Sequence, residues 1–542
     1  MANMHILSQL SFPLLCISLY LLYIIIKHEF RRAPRIRRHG PPSHPVLGSL
    51  ISFYKNRHRL LDWYTDLLSH SPTQTIVVSR FGATTTVVTA NPQNVEYILK
   101  TNFSNFPKGR PFTQILGDFL GNGIFNVDGD VWQTQRTLAN HVFNAKSFRE
   151  YFMKVLKEEI NNKLLPIMES LAQEQEVDLQ DLLRRLGFDV ICKATLGVDP
   201  CALNCYAGHP DVSLMEAFDR ASEISAKRGA AQLSVTWKAK RLLGIGSEKI
   251  LKDSIQKIHA FVTNAVRDKT DPIVSRRPLF DDEEDLLSRI IAGSIIGSYN
   301  NVNGDKKYDE LIRDMMISLI MAGRDTTSAA MTWLFYLLSA NPDIEQELMK
   351  ELRIFAAAAA NNQEEEEEIN IDWFSSVLKE LRLLKACICE SMRLYPPVAW
   401  DSKHAISDDL LPDGTPVRAG DRVTYFPYGM GRMESLWGKD RLQFRPERWV
   451  LERNTIGEGA RSVGALKNVC PYKFPVFQAG PRVCLGKELA FMQMKYVVAS
   501  ILGHFEIRPA TTNPPVFVPF LTAHMAGGFK VFVRRRRRGQ HV

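Results

Sequence analysis

The ten residues FQAGPRVCLG, positions 477–486, set one cysteine between an arginine and a glycine, where an irregular segment runs into GKELAFMQMKYVVASIL (486–502). The apolar spacing of that second stretch predicts a helix, so Cys484 stands at a helix N-terminal end. Unpaired N–H groups and the helix dipole favour an anion there, and a thiolate is the anion on offer. Gly480 permits a turn closed to residues with a Cβ, and Gly486 lets backbone N–H groups approach the sulfur. Phe477 is placed to shield that sulfur from water, and Arg482 to pair with a carboxylate beside it. A lone cysteine in a large chain is ordinarily a core thiol. An anionic sulfur flanked by a carboxylate-seeking arginine instead suits an iron porphyrin with carboxylate arms.

Three further stretches lie upstream. CESMRLYPPV (389–398) carries Glu390 and Arg393, an i,i+3 pair on one helical face, which alone is an ordinary ion pair. MAGRDTTSA (321–329) places the hydroxyl of Thr326 next to the acid Asp325, with Ala322 and Gly323 leaving space beside a helix. WQTQR (132–136) puts Trp132 and Arg136 one turn apart on a shared face.

Together these stretches resemble the cytochrome P450 family. Positions 477–486 fit its haem loop FxxGxRxCxG at Phe477, Gly480, Arg482, Cys484 and Gly486, and the other motifs follow in the family's order. The resemblance implies a mainly α fold with a small β-rich portion, and haem b bound by an axial Cys484 thiolate. Trp132, Arg136 and Arg482 would hold the propionates, and Asp325 and Thr326 would deliver protons during oxygen activation. Glu390 and Arg393, joined by Arg448 from FRPERW (444–449), would brace the cysteine loop. Val398, Ala399 and Trp400 occupy the family's substrate-contact turn, although Trp400 reads equally well as core. The activity implied is that of a monooxygenase of the EC 1.14 class, using O2 and electrons from NADPH passed on by a separate NADPH-cytochrome P450 reductase.

The stretches GNGIFNVDGDVWQTQR, WDSKHAISDDLLPDGT, YFPYGMGRMESLWGKD and CLGKELAFMQMKYVVAS resemble plant fatty-acid ω-hydroxylases and the related jasmonoyl-amino-acid oxidases, as do Pro481 and Leu485 within the loop. This implies a hydrophobic acyl substrate oxidised at its terminal carbon, with continuation of the product alcohol to the acid as a further expectation. Jasmonoyl-isoleucine 12-oxidation, and so jasmonate metabolism, is the favoured expectation; general fatty-acid ω-hydroxylation in cutin and lipid metabolism is the alternative. A haem sensor or carrier without catalysis is the rival of another class, for which the Asp325–Thr326 pair would be superfluous. Lys108 and Arg110 in FPKGRPF are candidates for a substrate carboxylate, and Lys473, Lys487 and Lys495 for an acidic reductase surface.

The chain of 542 residues is 45% hydrophobic, enough for a large core. Residues 6–26 run without a charge, long enough for one transmembrane helix. Residues 27–38 follow with a formal charge of +5, so the domain beyond is expected in the cytosol, single-pass on the endoplasmic reticulum membrane. The expected organisation is an anchor at 6–26, a basic and proline-rich linker at 27–48, a catalytic domain at 49–533 and a basic tail at 534–542. The basic linker, Lys530 and Arg534 to Arg538 together hold +11 against a net charge of +9, which leaves the remainder at −2. Such charge suits anionic lipid, and no nucleic-acid module accompanies it. Eight scattered cysteines carry no zinc spacing and read as reduced thiols. No internal repeat, GxxxxGK[ST], GxSxG or HExxH is present. TIVVSRFGATTTVVTANP (75–92) predicts a hairpin closed by Asn91-Pro92, and AAAAANNQEEEEE (356–368) a mobile surface insertion.

Overall fold

Apolar residues recur at helical spacing through the middle of the chain, and in the computed structural model these segments stack as helices, with β-branched runs at both ends forming small sheets. The structure describes residues 39–44, 47–79, 85–172, 175–207, 213–231, 234–270, 285–296, 306–361, 380–451 and 465–536, with single residues at Ser18, Tyr20, Tyr23 and Leu378. The main helices are α1 (Leu60–His70), α2 (Gly109–Leu120), α3 (Gly129–Asn144), α4 (Lys146–Glu159), α5 (Leu179–Leu196), α6 (Ser213–Ala230), α7 (Ser247–Thr270), α8 (Lys306–Ser339), α9 (Pro342–Asn361), α10 (Arg382–Leu394) and α11 (Lys487–His504). The strands are β1 (Thr75–Val78), β2 (Thr86–Thr89), β3 (Glu176–Asp178), β4 (Asp401–His404), β5 (Asp409–Leu410), β6 (Pro416–Val417), β7 (Arg422–Tyr425), β8 (Phe505–Pro509), β9 (Phe517–Pro519), β10 (Ala523–Met525) and β11 (Lys530–Arg535).

The largest sheet has the order β1-β2-β7-β4. β2 and β7 run parallel, Thr86 opposite Arg422, while β4 returns antiparallel with Asp401 opposite Tyr425. The hairpin of β1 and β2 is present, but Asn91-Pro92 does not close it. Asn91 Oδ1 accepts the Gln93 N–H at 2.9 Å and Pro92 follows as the first helical residue, so the pair starts the helix Pro92–Glu96. The alanine run expected in a surface insertion instead continues α9 as far as Asn361, in line with alanine's helix preference; the glutamates beyond lie outside the described residues. So do residues 27–38 and 537–542, and all of the expected anchor at 6–26 except Ser18, Tyr20 and Tyr23. Among the described residues no helix is long and apolar enough to cross a membrane.

Two apolar cores meet near the cysteine. The larger is built on the helices, and Phe477 and Leu485 pack against it. The smaller lies under the β1-β2-β7-β4 sheet and includes Ala479 from the same loop. At 34 residues α8 is about 50 Å long and spans the larger core. It lies close against α5: an added Cβ on Gly323 would meet Ile191 Cδ1 at 2.5 Å, and one on Gly187 would meet the Arg324 carbonyl at 2.9 Å. The space expected beside Gly323 is therefore filled by helix packing.

Candidate functional site

The cysteine loop is held at both ends. Cys484 N donates to the Phe477 carbonyl at 2.8 Å, which closes the turn, and the Phe477 ring packs 5.2 Å from Phe491 on α11. Gly480 has φ +66, and an added Cβ there would stand 2.0 Å from the Leu99 carbonyl; glycine is required twice over. Gly486 has φ −83 and an added Cβ would meet nothing within 4 Å, so the loop is open on that side. Solvent reaches Cys484 on one face while protein surrounds it on the others. That surrounding burial pushes its thiol above the ordinary range, against the pull of the Gly486 N–H and the Arg136 and Lys487 cations. A cationic metal at the sulfur would hold it as the thiolate.

Behind the loop, Glu390 and Arg393 form a fully buried bidentate pair, both contacts 2.8 Å. One turn of α10 separates them, as the i,i+3 spacing requires. Arg393 also donates to the carbonyls of Gly431, Arg441 (2.6 Å) and Gln443 (3.1 Å). Glu390 accepts from Arg448 Nε at 3.2 Å, Arg445 N at 3.0 Å and Trp449 Nε1 at 2.9 Å. Arg448 further binds the carbonyls of Trp437 and Asp440. Every polar atom of this buried pair has partners, which is the condition for burying charge without losing stability.

On the loop's other side, Arg482 lies over the Trp132 ring, 4.5 Å from its centroid. It donates to Asp128 Oδ1 and the Val127 carbonyl, both at 2.8 Å. Arg136 is half-buried near Cys484; desolvation lowers its pKa and the sulfur acts the other way. Two guanidiniums, one indole, an open face at Gly486 and a single soft sulfur donor make a set that fits haem, whose two carboxylates need cations and whose iron takes one thiolate. Elsewhere Glu159, Asp189 and Asp199 bring their carboxylates to metal-ligating spacing, but Lys163 stands 2.9 Å from Glu159 and 2.6 Å from Asp199, with Lys193 2.8 Å from Glu159. That cluster is an ion-pair network.

On α8 the hydroxyl of Thr326 donates to the Ala322 carbonyl at 2.7 Å, as Thr327, Ser328 and Thr332 do to the carbonyls four residues before them. Its oxygen keeps lone pairs free to accept. Asp325 accepts from Arg324 Nε at 2.6 Å, with Arg184 Nε at 3.9 Å. It lines a cavity of about 220 Å³ between α5, α6, α8 and β10, together with Asp219, Glu223 and His524. Asp219 accepts from both Arg184 and Arg324. Burial raises its pKa, but the two guanidiniums outweigh that and hold it below the usual carboxylate range.

Of the substrate-turn residues, Ala399 is buried, Val398 is half-buried, and the Trp400 ring packs 6.0 Å from Phe426 and 6.4 Å from Tyr64. Lys108 is not a free cation: it is buried, and its Nζ binds Asp401 Oδ1 at 2.7 Å over the Phe112 ring. Arg110 is exposed on the first turn of α2. Lys473, Lys487 and Lys495 do not share a surface, because Lys495 is buried and donates to the Leu378 carbonyl. The sequence reading missed Asp401, Lys403, Gln478 and Asp128. The one available signal was the i,i+2 placement of Asp401 and Lys403, which puts an acid and a base on the same face of a strand.

The sequence model of the family described as "Cytochrome P450" matches residues 39–527. "Cytochrome P450 94B1" from Arabidopsis thaliana is 52% identical over 498 residues, 92% of this chain and 91% of its own. "Cytochrome P450 94B3" from the same plant is 50% identical over 528 residues, 97% and 98% of the two chains. "Cytochrome P450 94A1" from Vicia sativa is 42% identical over 499 residues, 92% and 90%.

Proposed function

The chain belongs to the cytochrome P450 family as a monooxygenase, and from that premise we propose that it hydroxylates the terminal carbon of a fatty-acyl or jasmonoyl-amino-acid substrate, jasmonoyl-isoleucine before free fatty acids. The observation that carries the chemistry is the convergence of Arg136, Trp132 and Arg482 on the Cys484 loop; the buried network of Glu390, Arg393 and Arg448 would brace that loop. The resemblance of four stretches, and of Pro481 and Leu485, to the plant ω-hydroxylase group supports the acyl substrate.

When bound, haem b supplies activation of O2 and attack on a C–H bond. Cys484 would hold the haem iron through its thiolate and supply electron donation to it. Trp132, Arg136 and Arg482 would hold the propionates, and Phe477 would screen the sulfur. Thr326 and Asp325 move the protons: Thr326 accepts through its free lone pairs and passes a proton on when its hydroxyl leaves the Ala322 carbonyl. A terminal methyl is harder to oxidise than the CH₂ beside it, so the chain must enter end-on, and Val398, Ala399 and Trp400 narrow its approach. Electrons come from NADPH through the reductase. The uncharged run at residues 6–26 and the cations after it support a single-pass position on the endoplasmic reticulum membrane with this domain in the cytosol.

Microsomes carrying the protein, with reductase and NADPH, are offered lauric acid, oleic acid and jasmonoyl-isoleucine in competition, and products are identified by mass spectrometry. Terminal hydroxylation of jasmonoyl-isoleucine ahead of both acids is expected. Preference for a free acid moves the substrate to the alternative, and preference for a bulky polycyclic compound over all three overturns the acyl reading.

A further inference from the structure

The cysteine loop has an ionic anchor besides the Glu390–Arg393–Arg448 brace. Asp401, buried on β4, gathers five donors. Lys108 Nζ (2.7 Å) and Ser402 N (2.8 Å) reach Oδ1, while Gln478 Nε2 (2.7 Å), Tyr425 OH (2.9 Å) and Lys403 Nζ (3.2 Å) reach Oδ2. This fills the acceptor capacity of a carboxylate. Lys108 continues the connection through its backbone: its N–H donates to Asp128 Oδ1 at 3.0 Å, the oxygen that Arg482 holds at 2.8 Å. Gly109 N binds Asp128 Oδ2 at 3.0 Å, and His404 Nδ1 meets the Lys108 carbonyl at 2.6 Å. The path Gln478–Asp401–Lys108–Asp128–Arg482 therefore leaves the loop six residues before Cys484 and rejoins it two residues before.

Gln478 shows what this path does to the loop. Its φ is +58, a conformation unfavourable for a residue with a Cβ and in need of outside support. Its amide reaches a carboxylate that is fixed by two lysines and a tyrosine. Burial pulls the Lys403 ammonium down to about 7 even with Asp401 beside it, so at neutral pH Lys108 is the main counter-charge of Asp401.

We propose that Asp401 and Lys108 form a positioning node which, through Gln478 and Arg482, fixes the turn that presents the Cys484 sulfur. This rests on the reading of Cys484 as the haem ligand. Neither residue touches the reacting atoms. Asp401→Asn leaves the shape and removes the charge that Gln478 and Lys108 require. Gln478→Asn keeps the side-chain amide but is too short to reach Asp401.

The test uses the reduced, carbon-monoxide-bound holoprotein, in which thiolate ligation gives a red-shifted Soret band. The rate at which that band decays to the unshifted form in mild urea is measured with haem retained. Loss of a charged hydrogen bond predicts about a tenfold faster decay in Asp401→Asn and in Gln478→Asn. The double variant should decay no faster than the faster single one, because both cut one path. Leu186→Ala, in the larger core away from the loop, should lower the thermal midpoint while leaving the decay rate within about twofold at equal distance from its midpoint. Wild-type decay in Gln478→Asn, or additive effects in the double variant, overturns the proposal. If Asp401→Asn does not fold, Gln478→Asn alone decides. Cys484→Ala must lose the red-shifted band altogether; if it does not, the ligand reading fails, which is distinguishable from failure of the node alone.

Discussion

Thr326 donates its proton to the Ala322 carbonyl within its own helix, a bond any mid-helix threonine makes. What sets it apart is position: it is half-buried, one turn from Ala322, and follows an acid that lines the cavity. Removing the hydroxyl hardly disturbs packing but removes a proton-transfer group worth about 10²-fold in rate. Thr326→Ala should therefore keep the thermal midpoint and reductase-driven NADPH oxidation while product formed per NADPH falls by about that factor. Thr326→Ser should recover most of it. Unchanged coupling in the alanine variant ends the proton-delivery role. Much at this scale was legible beforehand, because partners three or four residues apart, such as Glu390 with Arg393, declare themselves by spacing. Asp401 was not: its partners Lys108 and Gln478 are 293 and 77 positions away, and only the folded chain brings them to it.

Helix α8 illustrates how a correct segment can be given the wrong reason. Ala322-Gly323 reads in sequence as space left beside the helix, whereas Gly323 serves the crossing with α5, where Ile191 fills the space and Gly187 lets the Arg324 carbonyl approach. Sequence periodicity shows that a helix has a small residue, but the occupant of the space belongs to another helix and is invisible to local pattern. The two glycines should answer substitution differently. Gly323→Ala drives a methyl against the Ile191 side chain and should cost about 1–3 kcal/mol, largely recovered by adding Ile191→Ala. Gly187→Ala drives it against backbone, which no side-chain change relieves. Urea unfolding of the two singles and two doubles checks this; equal rescue by Ile191→Ala in both backgrounds contradicts the assignment. The Asn91-Pro92 pair makes the same point in milder form, since its chemistry suits a turn and a helix start alike.

Across the whole molecule, α5, α6 and α8 are tied together by a few charges around one cavity, and Asp219 on α6 is where two of them meet. Arg324 is about 1% exposed and depends on Asp219 and Asp325 for its counter-charge. Asp219→Asn leaves that buried guanidinium with one carboxylate and takes a partner from Arg184. Because Arg324 keeps Asp325 and Asp219 is partly open to solvent, the expected loss is about 2 kcal/mol at pH 7, below that of a fully buried pair broken outright. The pH dependence follows from the direction of the shift. Asp219 has a folded pKa below its ordinary value, so it contributes stability that is present above the unfolded value near 4 and is lost as pH falls through the folded one. Wild type and Asp219→Asn should therefore differ most at neutral pH and converge in acid, the wild type having the steeper fall below about pH 4. Urea midpoints taken from pH 7 down to 3 follow both curves. A constant gap across that range would mean that the aspartate acts through shape rather than charge, and the link between α6 and α8 would then have to be sought in packing at the helix crossing.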